Sequence, residues 1–289
     1  MNEHTRTANA NGLTLPALGQ GGWNIGDDPA RAAGEIAALR RGLELGLTLI
    51  DTAEMYGNGR SEELIARALK GVRREEVQLV SKVLPQNAGR RRLAQSCEAS
   101  LRRLGTETLD LYLLHWRGSV PLAETVDAME ALVRGGKIRR WGVSNFDTAD
   151  MEELWQTPGG QNCAVDQVLY HLGSRGIEYD LLPWLTAHGV AVMAYCPLAQ
   201  AGTLRRTHRD FATDDTLRTI AAAHGATVMQ LLLAFTLRRG NVIPIPKASS
   251  PAHVEQNAAA LGLTLTDDEW AAIDRVYWPP TSKMHLDIE

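Results

Sequence analysis

Short apolar runs and helical stripes alternate along this chain. The β-prone run Leu47-Thr48-Leu49-Ile50 ends on Asp51, and Tyr56 follows in the next loop. Residues 77–82, 109–115, 138–144, 163–168, 190–195 and 242–245 read as further strands, the last interrupted by Pro244 and stopped by Pro246. Between them apolar residues recur at helical spacing: Ile36, Leu39 and Leu43; Leu64, Ile65, Ala68 and Leu69; Leu93, Cys97, Leu101 and Leu104; Leu122, Val126, Met129 and Val133. Gly46, Gly105 and Gly135-Gly136 follow three of these stripes and predict their C-terminal ends. Helices are also predicted over 147–155, 181–188, 217–223, 228–239 and 251–261, and Thr266-Asp267-Asp268-Glu269 opens another with a capping-box pattern. Ahead of all this, Asn11-Gly12 between apolar segments predicts a hairpin turn.

About eight strand–helix units with no break in composition predict an α/β fold, a (β/α)8 TIM barrel with an N-terminal β-hairpin, in a single domain over residues 1–289. A doubly wound sheet is the alternative. Neither G-x-G-x-x-G nor G-x-x-x-x-G-K-[ST] occurs. Residues 1–5 lack the apolar core of a leader, and no apolar stretch is long enough to span a membrane.

Composition narrows the function classes. The chain is 44% hydrophobic and has a formal charge of -4, which argues against the basic face of a nucleic-acid binder. The densest basic run, Arg90-Arg91-Arg92, reads as a solvated helix start. Three scattered cysteines, Cys97, Cys163 and Cys196, show no metal spacing and suit a reducing cytoplasm.

Candidate chemistry lies at strand ends. In a barrel the C-terminal ends of all strands converge, so Asp51, Lys82 and His115 can meet, with Tyr56 beside them. Taken singly, each has a structural reading. Asp51 could cap the next helix with Tyr56 packed on it, Lys82 could snorkel, and His115 could be a satisfied core histidine. Together they suit carbonyl reduction. A nearby ammonium lowers a phenol's pKa, Asp51 can hold Lys82, and His115 can donate a hydrogen bond to a carbonyl. No side chain delivers hydride, so a nicotinamide cofactor is required.

The segments Ile50-Asp51-Thr52-Ala53-Glu54-Met55-Tyr56-Gly57, Ser81-Lys82, Leu113-Leu114-His115-Trp116, Gly142-Val143-Ser144-Asn145-Phe146 and Ile245-Pro246-Lys247 resemble, in order, the motifs of the aldo-keto reductase family. The resemblance implies a barrel using NADPH, with NADH as a weaker alternative, and Asp51, Tyr56, Lys82 and His115 as catalytic residues with Tyr56 the proton donor. It implies that Ser144, Asn145 and Gln167 hold the nicotinamide carboxamide and that Tyr195 stacks on its ring. Gly22, Trp23, Cys196 and Leu198 would also touch the cofactor. Lys247, Ala248, Ser249, Ser250, His253, Gln256 and Asn257 would hold the adenosine end, with Lys247, Ser249 and Ser250 near the 2′-phosphate. Trp23 and Trp116 would wall the substrate pocket with Tyr56 and His115. Taken alone, Ser144 and Asn145 could merely cap a helix, Tyr195 could be core, and the tryptophans could be packing.

Some positions depart from the family. His253 stands where many members have arginine, so a bidentate phosphate ligand is missing, and Gln256 stands where many have glutamate. Cys196 replaces a common serine, and Leu84 replaces a pocket tryptophan of some members. Residues 101–155 and 171–202 are most similar to bacterial methylglyoxal reductases. With a short tail over 278–289, the expectation is reduction of small aldehydes and 2-oxoaldehydes by a monomer. The competing class is a cofactor-binding, redox-sensing regulatory subunit with little turnover. A phosphosugar enzyme on the same barrel is a third reading.

Overall fold

The computed structural model describes residues 7–199, 203–204 and 209–289. The reading of residues 1–5 and the 200–202 end of the second similar segment lie outside the described residues. The chain opens with an antiparallel hairpin, β1 (Thr7–Ala10) and β2 (Leu13–Pro16), turned at Asn11 and Gly12. Both turn residues have positive φ, 47° and 80°, as the predicted turn requires.

Eight strands then form one sheet of parallel pairs: β3 (Gln20–Gly21), β4 (Leu49–Asp51), β5 (Gln78–Val83), β6 (Leu109–Leu114), β7 (Ile138–Ser144), β8 (Val165–Leu169), β9 (Ala191–Tyr195) and β12 (Val242–Pro244). A separate two-stranded ribbon, β10 (Thr203–Leu204) with β11 (Arg209–Asp210), precedes β12. The sheet closes on itself. The Gly19 and Gly21 N–H groups donate to the Pro244 and Pro246 carbonyls, each at 3.0 Å. The two prolines, Pro244 at the end of β12 and Pro246 just beyond it, thus serve the seam as acceptors only, which suits residues without an N–H. A Cβ on Gly21 would lie 2.6 Å from the Ile245 carbonyl oxygen, so only glycine fits there.

Among the described residues ten α-helices surround the barrel. They are α1 (Ala32–Glu44), α2 (Arg60–Ala68), α3 (Arg90–Leu104), α4 (Leu122–Arg134), α5 (Thr148–Gln156), α6 (Leu181–Ala187), α7 (Asp215–Ala223), α8 (Val228–Leu237), α9 (Pro251–Ala259) and α10 (Asp267–Val276). Their apolar stripes are the predicted ones. Leu64, Ile65 and Ala68 of α2 and Leu93, Cys97, Leu101 and Leu104 of α3 are all buried against the sheet. Arg90, Arg91 and Arg92 open α3 and are exposed. Gly105 closes α3 in the left-handed conformation, and Thr266 and Glu269 form the predicted capping box of α10. Among the described residues no single helix is long and apolar enough to cross a membrane.

What positions the site is the period of two along each strand. Leu49, Val80, Leu113, Val165 and Met193 belong to one buried cluster inside the barrel, and Ala8, Ala10 and Leu15 of the hairpin join it from below. Two residues further along the same faces stand Asp51, Lys82, His115, Gln167 and Tyr195. An apolar floor therefore carries a polar layer at the C-terminal end. Each buried aliphatic side chain contributes roughly 1.5–3 kcal/mol, which offsets the several kcal/mol that desolvating an ion costs.

Candidate active site

The four strand-end candidates meet. The Lys82 ammonium is completely buried and donates to Asp51 Oδ2 at 2.7 Å, to the Thr52 carbonyl at 2.9 Å and to the Tyr56 hydroxyl at 3.1 Å. All three donors of the ammonium are therefore used, and Lys82 does not snorkel. Asp51 does not cap the following helix. Its second oxygen, Oδ1, accepts from Gln167 Nε2 at 2.8 Å, and the N-cap of α2 is Gly59. His115 Nδ1 is buried with no hydrogen-bond partner among the described residues, so this is not a satisfied core histidine.

The electrostatics follow from burial. Burial opposes the Lys82 ammonium most strongly, but Asp51 and Tyr56 together outweigh it and hold Lys82 above the usual lysine range. Burial pushes the Tyr56 phenol above its ordinary value, while Lys82 pulls it down. Lys82 thus lowers the phenol's pKa as expected, and desolvation of the phenolate, which is larger, sets the net direction. Burial, then the Lys82 charge, lowers His115 to about 3, so its imidazole is neutral at ordinary pH and keeps one N–H to donate.

Aromatic rings form a row across this centre. Trp23 packs edge-on to Tyr56 at 4.8 Å between centroids and Tyr56 edge-on to His115 at 5.7 Å, while His115 and Trp116 are tilted at 4.9 Å. Trp23 is 51% exposed and Trp116 37%, so neither is core packing. Gly22 leads into Trp23 pressed against the end of β4, where a Cβ would lie 2.6 Å from the Asp51 carbonyl oxygen.

A second polar group adjoins the first. The Ser144 hydroxyl donates to the Gln167 carbonyl at 2.7 Å and the Asn145 N–H to the same oxygen at 3.0 Å. Asn145 Nδ2 donates to the His115 carbonyl at 3.2 Å, and the Tyr195 hydroxyl donates to Asn145 Oδ1 at 2.9 Å. Asn145 is left-handed (φ 59°), a conformation asparagine tolerates, and this turns its side chain back over the barrel. Neither Ser144 nor Asn145 caps α5, because Asp147 does so in a capping box with Asp150. Tyr195 is half-buried rather than core. Beyond it Cys196 is left-handed and half-buried, and Leu198 packs on the core beneath.

The third group lies at the rim. Lys247 Nζ donates to the Ser249 hydroxyl. Ser250 caps α9, its hydroxyl accepting from the His253 N–H at 3.4 Å. Ala248, Val254 and Asn257 line a narrow crevice with Gly21 and Pro246. His253 and Gln256 are exposed on the same helix. An ammonium, two hydroxyls and a helix N-terminus suit an anionic group. The amide and hydroxyl groups of Ser144, Asn145 and Gln167, beside the Tyr195 ring, suit a flat carboxamide-bearing ring. A nicotinamide dinucleotide phosphate thus fits the donor set from one end to the other.

Sequence reasoning missed several contacts. The Thr52 carbonyl on Lys82 is backbone and leaves no trace in residue type. The Ser61 hydroxyl, which donates to the Gly22 carbonyl at 2.9 Å, had no signal beyond its place at the start of a helix. The tail reaches further than its length suggested. Lys283 pairs with Asp147 and Asp180, the Ser174 hydroxyl donates to Asp287 at 2.7 Å, and the Glu289 N–H donates to the Tyr195 hydroxyl at 3.3 Å.

The fold and this constellation are those of a carbonyl reductase on a barrel, and comparison with known proteins agrees. The aldo/keto reductase family model matches residues 17–277. The chain belongs to the aldo/keto reductase family. It is 56% identical over 276 residues to methylglyoxal reductase YeaE of Escherichia coli strain K12, covering 96% of each chain. It is 30% identical to an NADH-specific methylglyoxal reductase of the same strain, covering 88% of this chain and 92% of that one. Among solved structures, the aldo/keto reductase of Klebsiella pneumoniae in complex with NADP and acetate superposes with a TM-score of 0.95 at 53% identity, covering 99% of this chain and 100% of that one.

Proposed function

We propose that this chain is an NADPH-dependent reductase of small aldehydes and 2-oxoaldehydes, methylglyoxal among them. The observation that carries the reading is the three-way contact of the buried Lys82 ammonium with Asp51, Thr52 and the Tyr56 hydroxyl. NADPH supplies the hydride when bound. Tyr56 gives its phenolic proton to the carbonyl oxygen as that oxygen gains charge, and Lys82 stabilises the phenolate left behind. Asp51 keeps Lys82 charged and aimed. Neutral His115 donates a hydrogen bond that orients the carbonyl. Ser144, Asn145 and Gln167 hold the carboxamide of the cofactor, Tyr195 faces its ring, and Gly22, Trp23, Cys196 and Leu198 border it. Lys247 to Ser250 and the helix carrying His253, Gln256 and Asn257 hold its phosphate end. Trp23 and Trp116 wall the substrate pocket.

The name of the Escherichia coli relative supports 2-oxoaldehydes as substrates, and the NADP complex of the Klebsiella relative supports the cofactor. The NADH-specific relative supports NADH as a weaker alternative. The protein is further read as a single-domain cytoplasmic monomer. A substrate panel with NADPH and NADH tests the proposal. The expected result is a higher kcat/KM for methylglyoxal than for open-chain sugars, with NADPH preferred. A preference for sugars would overturn the substrate class. Tight NADPH binding with no turnover of any aldehyde would return the chain to the redox-sensor reading.

A further inference from the structure

On β8 two neighbouring polar residues face opposite sides. Gln167 points into the barrel, and Asp166 points away from it. Asp166 is completely buried, and neither of its carboxyl oxygens has a hydrogen-bond partner among the described residues. It pairs in register with Val143, one residue before Ser144. Among the described residues the Phe146 backbone N–H is the one donor that acts on the carboxyl, and it favours the ionised form only weakly against burial. Among the described residues, the titratable groups that act on Asp166 are acidic: Asp150 and Asp147 at the start of α5, and the Cys163 thiol ahead of β8. The cations of this region are engaged elsewhere, Arg117 with Asp150 and Glu153, and Lys283 with Asp147 and Asp180. A lone carboxylate in such a place is unfavourable, and the group stays protonated instead. Burial first, then Asp150 and Asp147, carries Asp166 well above the usual carboxylate range, with the Phe146 amide opposing.

We propose that Asp166 is a positioning residue for the turn formed by Ser144 and Asn145: it is carried as the neutral acid behind that turn, and its ionisation displaces the turn and releases NADPH. The geometry makes the coupling direct. Asp166 and Gln167 are adjacent on one strand, and the Gln167 carbonyl receives both the Ser144 hydroxyl and the Asn145 N–H. A charge seeking water behind this strand end moves the acceptor that fixes both residues. The proposal rests on reading Ser144 and Asn145 as holders of the nicotinamide carboxamide.

The sign follows from linkage. The folded-state pKa lies above the unfolded value of about 3.9, so the stability that Asp166 contributes is fully present below that pH and is lost as pH rises toward the folded pKa. Asp166→Asn keeps the shape and removes only the titration. Its stability advantage over the parent should be absent at about pH 4 and grow with pH, by up to tenfold in the unfolding constant per pH unit. In infrared spectra at about pH 8, far above the ordinary carboxyl pKa, the parent should retain the C=O band of a protonated carboxyl and the variant should lack it. NADPH titrations by fluorescence between about pH 7 and the alkaline limit of folding then test the positioning role, where one titrating proton changes affinity by up to tenfold per pH unit. The parent should weaken toward alkaline pH and Asp166→Asn should not. A missing infrared band, or parallel stability profiles, would overturn the neutral acid. Parental NADPH affinity that stays flat, or falls in step with the variant, would overturn the positioning role. Failure of both proteins to bind NADPH at any pH would instead overturn the reading of the cofactor site.

Discussion

The centre built on Lys82, near the end of β5, and the rim built on Lys247, in the loop after β12, both use a lysine, yet they are held in opposite ways. Lys82 is completely buried, and three acceptors consume its three protons. Lys247 is half-buried and touches the Ser249 hydroxyl, and His253 and Gln256 beyond it are exposed on one face of α9. The first arrangement over-determines one geometry, because moving any member leaves a buried charge or hydroxyl unmet. The second leaves room for exchange, since exposed polar contacts contribute little each. Under the proposed function, chemistry would be fixed by the barrel and cofactor preference tuned from the surface of one helix.

Breaking the first region should have the largest effect. Lys82→Met leaves Asp51 buried against Gln167 alone. Removing one partner of a buried pair costs about 3–5 kcal/mol, and Tyr56, the proposed proton donor, loses the cation that would stabilise its conjugate base. Denaturant unfolding and single-turnover kinetics should both show the loss. Parental stability would mean that the pair is not desolvated as described.

A smaller effect separates the two regions by pH. His115 titrates near 3 in the folded protein, below the ordinary histidine value of about 6.5. A lowered folded-state pKa contributes stability that is present above about pH 6.5 and is lost as pH falls toward about 3. The loss amounts to a few kcal/mol over that window. His115→Asn should remove this part of the acid sensitivity, measured as ΔG of unfolding at several pH values. Equal acid sensitivity of parent and variant would mean that His115 is solvated.

The smallest effect lies at the rim. His253→Arg offers the 2′-phosphate a permanent, bidentate partner. NADPH should bind up to about fivefold tighter, by roughly the 0.2–1 kcal/mol of an exposed ion pair, while NADH should be unchanged. Fluorescence titration of both cofactors decides it. An equal gain for NADH, or no gain, would mean that His253 does not face the phosphate.

How far the sequence was legible follows the same division. The strands carrying Asp51, Lys82 and His115 could be read because apolar runs ending on ionisable residues leave a pattern, and the period of two then puts those residues on one face. The closure of the barrel could not be read, since it rests on Gly19 and Gly21 donating to Pro244 and Pro246, a matter of backbone alone. The pull of Lys82 on Tyr56 could be read from residue types, but the larger opposing effect of burial could not, because residue types reveal a neighbouring charge and not the degree of burial. Asp166 stood in view inside an apolar run, but only the fold shows that it is fully buried with no side-chain partner among the described residues. The contact of Glu289 with Tyr195 depends on where the tail returns, which no local pattern encodes.

The most direct measurement is made on Tyr56→Phe, which keeps the ring between Trp23 and His115 and removes only the hydroxyl on Lys82. NADPH titration and steady-state reduction of methylglyoxal are measured on the same preparation. The variant should bind NADPH with parental affinity and lose about 10²–10⁴-fold in turnover, the usual worth of a positioned general acid. Turnover near the parental rate would contradict the assignment of Tyr56 as proton donor, and with it the role of the buried Lys82 centre.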